Sequence, residues 1–178
     1  MSRANKSQKR SEFIDLISES ITHDEVLGTI DYKHKTEDQI KKFIHPHLVE
    51  SLTNYIAENE NKDKEVAEEY VKKNLKWKGN KTNVVSHILF MGTENRPDMV
   101  VDMNGLKVAI EFKKGKSGSD VRAGIGQSII YSTHYDFVLY FFIDISDDKI
   151  IKNAQGGVNE TEFVELLWEQ YNIKFIVA

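Results

Sequence analysis

Residues 104 and 105 are an Asn-Gly pair between two segments of alternating apolar residues, and this pair constrains the fold more than any other feature of the chain. Asn-Gly is a strong signal for a two-residue hairpin turn, because both positions of that turn require positive φ angles. The sequence therefore predicts strands over 98–103 and 106–113, with Met103 directly opposite Leu106. In this register six opposed apolar residues share one face, which is expected to be core: Met99, Val101, Met103, Leu106, Val108 and Ile110.

The order of the other periodic segments predicts an α/β fold. The first predicted element is a helix that Thr36 caps and that Pro46 interrupts or restarts. A strand over 84–90 and the two hairpin strands follow. The remaining predicted elements are a helix over 120–133, a strand over 135–145 that is buried on both faces, a helix near 160–170 and a strand over 173–177. Residues 65–75 fit either a helix or an edge strand, and residues 76–83 are expected to form a loop. The prediction is a single domain over 36–178 with a mixed central sheet flanked by helices, preceded by a loosely held helical arm over 1–35.

Composition excludes several functional classes. The chain of 178 residues has no cysteine, which excludes a disulfide framework, a thiolate zinc site and a cysteine nucleophile. It has no apolar run near the ~20 residues that cross a bilayer, and no apolar segment of a signal peptide follows its polar, basic start. An intracellular protein of the cytoplasm or nucleoid, without membrane contact, is the expectation. The net charge of −4 argues against a basic coat over the whole surface.

The second face of the predicted hairpin carries charged residues. Asp98 lies opposite Glu111, and Lys113 follows two residues later on the same face. Opposed carboxylates have Cβ atoms about 5 Å apart and repel each other, so a shared proton, a neighbouring cation or a divalent metal ion has to offset the repulsion. Lys113 would screen the pair, and a hard cation such as Mg²⁺ would offset it better. The alternative is an ordinary solvated sheet face that carries the same residues.

The arrangement of these residues resembles a known signature. Pro97-Asp98, then twelve intervening residues and then Glu111-Phe112-Lys113, resembles the PD-(D/E)xK motif of the restriction-endonuclease-like nucleases. On the next predicted helix, Gln127 and Tyr131 have the spacing Gln-x-x-x-Tyr, which resembles an additional motif of the RecB and λ-exonuclease branch. The resemblance covers residues 84–146, the expected nuclease core.

The resemblance implies a restriction-endonuclease-like core of αβββαβ order and Mg²⁺-dependent hydrolysis of DNA, with Mn²⁺ as a substitute. Asp98 and Glu111 would hold one or two metal ions, with the backbone carbonyl of Phe112 as a further ligand. Lys113 would orient the attacking water or stabilise charge that develops on the phosphate. This agrees with the chemistry of metal-activated water and of a cation beside a reacting phosphate.

The same resemblance implies three further candidate site residues, namely Glu37, Gln127 and Tyr131. Many members of the family add an acid from the helix before the sheet, for which Glu37 is the candidate and Glu50 and Glu68 are rivals. Gln127 and Tyr131 would belong to the catalytic site. They lie on one face of the predicted helix, and its apolar residues form a different stripe, so neither is needed for the core. That stripe consists of Val121, Ile125 and Ile129, while Gly124 and Gly126 suggest the close approach of another backbone or of a substrate.

Candidate nucleic-acid contacts are cations beside the predicted site and a lysine-rich segment around an indole. They are Lys114, Lys116 and Arg122, and Lys76, Trp77 and Lys78. A lysine run is also compatible with a solvated loop. The hypotheses left open are a DNA nuclease, endo or exo, a catalytically silent DNA-binding or assembly module of the same fold, and a metal-binding α/β hydrolase with another substrate. The pattern does not distinguish DNA from RNA, and cleavage of both strands of a duplex would require a homodimer.

Overall fold

The computed structural model describes residues 8–79 and 83–178, which form helices and strands in mixed order. The helices are α1 (Gln8–Thr22), α2 (Asp24–Leu27), α3 (Glu37–Glu60), α4 (Lys64–Asn74), α5 (Gly118–Ser132), α6 (Ile150–Ala154) and α7 (Val158–Tyr171). The strands are β1 (Leu75–Trp77), β2 (Ile88–Phe90), β3 (Thr93–Asn95), β4 (Met99–Met103), β5 (Leu106–Gly115), β6 (Phe137–Asp144) and β7 (Ile173–Val177). Over these residues, no helix is both long and apolar enough to span a membrane.

Five of the strands form a mixed sheet in the order β1-β4-β5-β6-β7. The pairs β1–β4 and β4–β5 are antiparallel, whereas β5–β6 and β6–β7 are parallel. Helix α5 connects β5 to β6, and α7 connects β6 to β7, as parallel strands require. The predicted α/β class with a mixed central sheet is confirmed.

The register of the hairpin is also confirmed. Met103 pairs with Leu106 and Met99 pairs with Ile110, with Asn104 and Gly105 in the turn at positive φ. The six apolar residues expected on one face are all buried in one core cluster. That cluster also contains the buried residues of α1, α3 and α4, which therefore cover this face. A second cluster on the other face contains residues of α5, β6 and α7.

Helix α3 begins as predicted but continues where an interruption was expected. Thr36 caps it in a reciprocal capping box with Gln39. Pro46 lies inside the helix rather than at a break, although an interior proline costs about 3 kcal/mol. Ile44 and Leu48, on either side of Pro46, are completely buried. Burial of both flanking turns against the sheet therefore offsets the missing hydrogen bond.

The predicted outer strand was wrong. Instead of one strand over 84–90, Ile88–Phe90 pairs with Thr93–Asn95 in a separate two-stranded ribbon. The sheet edge is formed by β1, whose Leu75 is buried and pairs with Val101. Residues 76 and 77, expected in a loop, belong to this strand, and residues 80–82 of that loop lie outside the described residues. Residues 64–74 are helical, which settles the open choice for that segment.

The N-terminal helix is part of the main core. Phe13, Ile14, Ile17 and Ile21 of α1 are buried at 0–1% exposure in the cluster that α3 shares. These residues are not loosely held, because their apolar face repeats at helical spacing and packs on the helix that covers the sheet. The division of the chain at residue 35 stays a prediction.

Candidate functional site

Asp98 lies directly before β4. Its side chain is buried, and each of its carboxylate oxygens has a hydrogen-bonding partner. Its Oδ1 atom is 2.8 Å from Nζ of Lys41, and its Oδ2 atom accepts a hydrogen bond of 3.0 Å from the backbone N–H of Phe112. The backbone N–H of Lys78 donates to the Asp98 carbonyl at 2.9 Å. Asp98 is thus fixed by three elements, namely α3, β5 and the segment after β1.

Glu111 is the second buried carboxylate of the site. The hairpin ladder ends at the pair of Met99 and Ile110, so Asp98 and Glu111 occupy the next position along it. Burial, and then the charge of Asp98, raise the pKa of Glu111 to about 8, although nearby lysines oppose the shift. Its Oε2 atom is buried and has no hydrogen-bond partner among the described residues. The lysines that lower this pKa are, in decreasing order of effect, Lys113, Lys41 and Lys78.

Lys41 is a residue of this site that the sequence analysis missed. Its Nζ atom lies 2.8 Å from both Asp38 and Asp98, and its side chain is only 6% exposed. Burial opposes the charge of Lys41, but the two aspartates outweigh it and raise its pKa. A signal was present: Lys41 lies three residues before Ile44 and seven before Leu48, on the buried stripe of α3.

Glu37, the candidate third acid, contacts β5 three residues after Glu111 and is hydrogen-bonded to the strand backbone there. Its carboxylate accepts a hydrogen bond of 2.8 Å from the backbone N–H of Lys114. Glu68, a rival candidate, forms an ion pair with Lys72 on α4, and Glu50 is exposed on α3. Among residues 8–79 and 83–178, no group of three or more histidine or acidic side chains is arranged to hold a metal ion. The metal-ligand role of Glu37 stays a prediction.

Asp98 and Glu111 are the two adjacent buried acids that could hold a divalent cation. The charge of Asp98 is one of the causes that raise the pKa of Glu111, and a bound cation would remove that repulsion. The buried Oε2 atom of Glu111 lacks a partner, which a cation would supply. Oxygen ligands of this type suit Mg²⁺ and Mn²⁺.

Tyr131 and Gln127 lie one turn apart on α5, and only the tyrosine is completely buried. The hydroxyl of Tyr131 has no hydrogen-bond partner within the described part of the chain. Burial, and then the charges of Glu111 and Asp98, raise the pKa of Tyr131. Tyr131 belongs to the second core cluster, although the sequence did not require it there, whereas Ile129 of the predicted apolar stripe is 37% exposed. Gln127 is half-buried.

The two glycines of α5 have different surroundings. A Cβ atom at Gly124 would overlap the hydroxyl of Tyr140, whereas a Cβ atom at Gly126 would meet nothing within 4 Å. The close approach at Gly124 is thus made by a side chain, and not by the backbone or substrate that the sequence suggested. It allows α5 to lie close to β6 beside the carboxylate pair.

The predicted nucleic-acid contacts divide into anchored and exposed residues. Lys114 donates through Nζ to the carbonyls of Lys33 and Lys35, at 2.9 and 2.6 Å, and so ties the segment before α3 to β5. The ring of Trp77 lies 5.1 Å from that of His45, measured between centroids. Lys76 is half-buried, and the remaining predicted cations are exposed: Lys78, Lys116 and Arg122.

Comparisons of this chain with protein-family models, with curated proteins and with solved structures find no match.

Proposed function

We propose that this chain is a metal-dependent nuclease of the PD-(D/E)xK type that hydrolyses DNA phosphodiester bonds. The observation that carries the proposal is the pair of buried carboxylates, Asp98 and Glu111, beside three lysines. Burial of two adjacent acidic side chains is unfavourable and contributes nothing to folding that apolar residues would not contribute better. A carboxyl group with a strongly raised pKa beside a second acid is typical of a functional site.

Asp98 and Glu111 would hold Mg²⁺ or Mn²⁺, with the backbone carbonyl of Phe112 as a candidate further ligand. Such an ion, when bound, lowers the pKa of coordinated water and neutralises charge on a phosphate. The protein's own contribution is to fix its ligands in advance. The N–H of Phe112 and the ammonium of Lys41 hold the two oxygens of Asp98, which leaves this side chain little rotational freedom.

Lys113 would act on the phosphate itself. It lies two residues after Glu111 on the same strand face, and its charge lowers the pKa of Glu111. A fixed ammonium group in this position would stabilise negative charge that develops on the phosphate oxygens. Without a bound cation, the carboxyl group of Glu111 carries a proton at pH 7, because its pKa is about 8. Release of that proton would accompany formation of the loaded site.

DNA would approach from the side on which exposed cations flank the carboxylates. Lys78 is joined through its backbone to Asp98, and Lys116 follows the last residue of β5. Cations near a phosphodiester backbone supply affinity that is independent of sequence and that falls as salt is added. Binding of DNA by this chain should therefore weaken steeply with ionic strength.

The second candidate is a DNA-binding or assembly module that keeps this fold without catalysis. The observation that favours it is the ion pair between Lys41 and Asp98, since Lys41 supplies a positive charge where a metal ion would otherwise be required. In such a module the two carboxylates and three lysines would be a structural charge network. Substitution of Asp98 would then change stability but no reaction.

A cleavage assay on purified protein separates these candidates. Linear duplex, circular, branched and single-stranded DNA, and RNA, are incubated with Mg²⁺, with Mn²⁺ or with EDTA. Asp98→Asn is compared with Asp102→Asn, which makes the same chemical change on the solvent-facing end of β4. Cleavage that requires the metal and is lost only in Asp98→Asn supports the nuclease. Binding of DNA without cleavage of any substrate rejects it in favour of the module.

A further inference from the structure

The β2–β3 ribbon exposes apolar side chains that are not packed in either core cluster. Leu89, Phe90 and Met91 are 69%, 48% and 89% exposed, although all three lie in or next to a regular hairpin. Successive residues of a strand point to opposite faces, so Leu89 and Phe90 cover both faces and Met91 covers the tip. The ribbon therefore ends in a narrow apolar edge surrounded by solvent.

The ribbon has a defined shape. Met91 and Gly92 form its two-residue turn, with φ angles of 49° and 77°. Two positive φ angles in succession match the strand twist of a tight hairpin. Its base is fixed by Ile88, which is buried in the second core cluster. The exposed tip is thus held by a packed base rather than by a free loop.

The base of the ribbon belongs to the same side of the sheet as the carboxylate pair. The second core cluster, which contains Ile88, also contains Ala109 and Tyr131. Tyr140 of the same cluster pairs with Glu111 between β5 and β6. The chain leads from β3 through Arg96 and Pro97 directly into Asp98. Asp98 is only seven residues after Met91, so the tip lies within about 25 Å of the site even if this segment were fully extended.

We propose that this ribbon is a wedge that inserts apolar side chains into the base stack of duplex DNA at the catalytic site. The inference rests on the proposed nuclease function and adds to it the recognition of a duplex that can be opened. Leucine, phenylalanine and methionine are side chains with which proteins wedge apart base steps and kink a duplex. Arg96 lies between the base of the ribbon and Asp98, and the backbone N–H of Lys78 donates to the Asp98 carbonyl, so both cations lie between the ribbon and the site, where they suit the phosphates beside an opened step.

A second copy of the chain fits this surface less well. The three side chains expose together on the order of 400 Å², about half of the ~800 Å² that each partner buries in a typical stable interface. A narrow edge with apolar groups on both faces also presents no single flat surface to a partner. The small apolar area and the presence of apolar groups on both faces suit insertion between two stacked base pairs.

The test uses a short duplex in which 2-aminopurine replaces one base at a time, because the fluorescence of this base rises when it is unstacked. The triple variant Leu89→Ser, Phe90→Ser, Met91→Ser is compared with the double variant Val158→Ser, Leu166→Ser. The control residues are also apolar and 75% and 48% exposed, but they lie on α7. Binding is measured in EDTA, so that no cleavage takes place, and sedimentation reports the oligomeric state of each protein.

We expect the wild type and the α7 variant to raise the fluorescence at one or two adjacent positions. The ribbon variant should show no such rise and should bind the duplex at least about fivefold more weakly, since each stacking contact contributes about that much or more. A ribbon variant that raises the fluorescence like the wild type overturns the wedge. So does a wild type that leaves the fluorescence unchanged, or a dimer that the ribbon variant alone dissociates.

Failure of the nuclease proposal is separable from failure of the wedge. A wild type that unstacks 2-aminopurine in EDTA but cleaves nothing in Mg²⁺ retains the wedge and rejects the nuclease. A ribbon variant that cleaves single-stranded and duplex DNA in the same ratio as the wild type retains the nuclease and rejects the wedge.

Discussion

Lys41 and Asp98 form a buried ion pair in which Nζ lies 2.8 Å from Oδ1 and each side chain is only 6% exposed. This pair joins the helical layer to the hairpin that carries the carboxylates. Its two members come from α3 and from the residue before β4, so it forms only when these two elements are packed together.

Removal of Lys41 alone should destabilise the fold strongly. In Lys41→Met, Asp98 stays buried without its cation, and the expected loss is about 3–5 kcal/mol in the free energy of unfolding. Urea denaturation of the variant and the wild type measures it. Lys107→Met is the control, because Lys107 is exposed and lies 3.8 Å from Asp102 at the surface, where a pair contributes at most about 1 kcal/mol. A loss in Lys41→Met no larger than that in the control would contradict a buried charge pair.

Glu111 should make stability depend on pH in a metal-free buffer. Its pKa is about 8 in the folded protein and 4.5 ordinarily, so the folded state binds more protons than the unfolded state between these values. The contribution of Glu111 to the free energy of unfolding is therefore fully present below pH 4.5 and is lost as the pH rises towards 8. Replacement by Gln should remove this decline, so that Glu111→Gln gains stability over the wild type by a few kcal/mol at pH 8 and little at pH 4.

Urea denaturation in EDTA at several pH values tests this expectation. Asp102→Asn, which changes a half-exposed carboxylate on the neighbouring strand, controls for the loss of a negative charge. Parallel pH profiles of Glu111→Gln and the wild type would show that Glu111 keeps an ordinary pKa in the folded protein.

The two glycines of α5 provide a matched pair of substitutions. Gly124→Ala would place a Cβ atom against the hydroxyl of Tyr140, whose ring also stacks on that of Phe175 at 5.0 Å between centroids. Tyr140 cannot move without loss of that contact, so the expected destabilisation is about 1–3 kcal/mol. Gly126→Ala meets open space and should stabilise the helix by about 0.5–1 kcal/mol. Thermal unfolding of both variants measures the difference, and equal effects would contradict the close approach of α5 to β6.

A divalent cation should stabilise the protein through the carboxylate pair. Anything that binds only the folded state raises its stability in proportion to the logarithm of concentration over Kd. We expect the melting temperature to rise as Mg²⁺ or Mn²⁺ is added to the wild type and to Asp102→Asn. In Glu111→Gln, which lacks one charged ligand, the rise should be absent or much smaller. The same increase in all three proteins would indicate that the ion binds elsewhere.

The hairpin and its pair of acids could be predicted because local signals agree there. The Asn-Gly turn sets the register, and the strand period then assigns each side chain to a face. This was sufficient to bring Asp98 beside Glu111 and to assign the apolar face to the core.

Other parts of the fold depend on contacts between distant residues. Lys41 pairs with Asp98 across 57 positions, which helical periodicity can suggest but cannot assign to a partner. Strand β1 has only three residues, too few for a strand period to be recognised among lysines. In the segment 84–90 the apolar residues suggested a sheet strand, whereas two of them, Leu89 and Phe90, are exposed residues of the ribbon. Composition alone does not distinguish an apolar residue that is buried in the core from one that is exposed at the surface.

The most direct test of the proposed nuclease is the single-turnover rate of DNA cleavage by Lys113→Gln. Lys113 and Lys107 lie on the same face of β5, one beside the carboxylates and the other near the hairpin turn, so Lys107→Gln is the matched control. We expect Lys113→Gln to lose at least about a hundredfold in rate with Mg²⁺, as for removal of one group that stabilises developing charge. Binding of DNA in EDTA should change little, and Lys107→Gln should cleave like the wild type. Equal cleavage rates in the two variants, or no cleavage by the wild type, would contradict a catalytic centre at Asp98, Glu111 and Lys113.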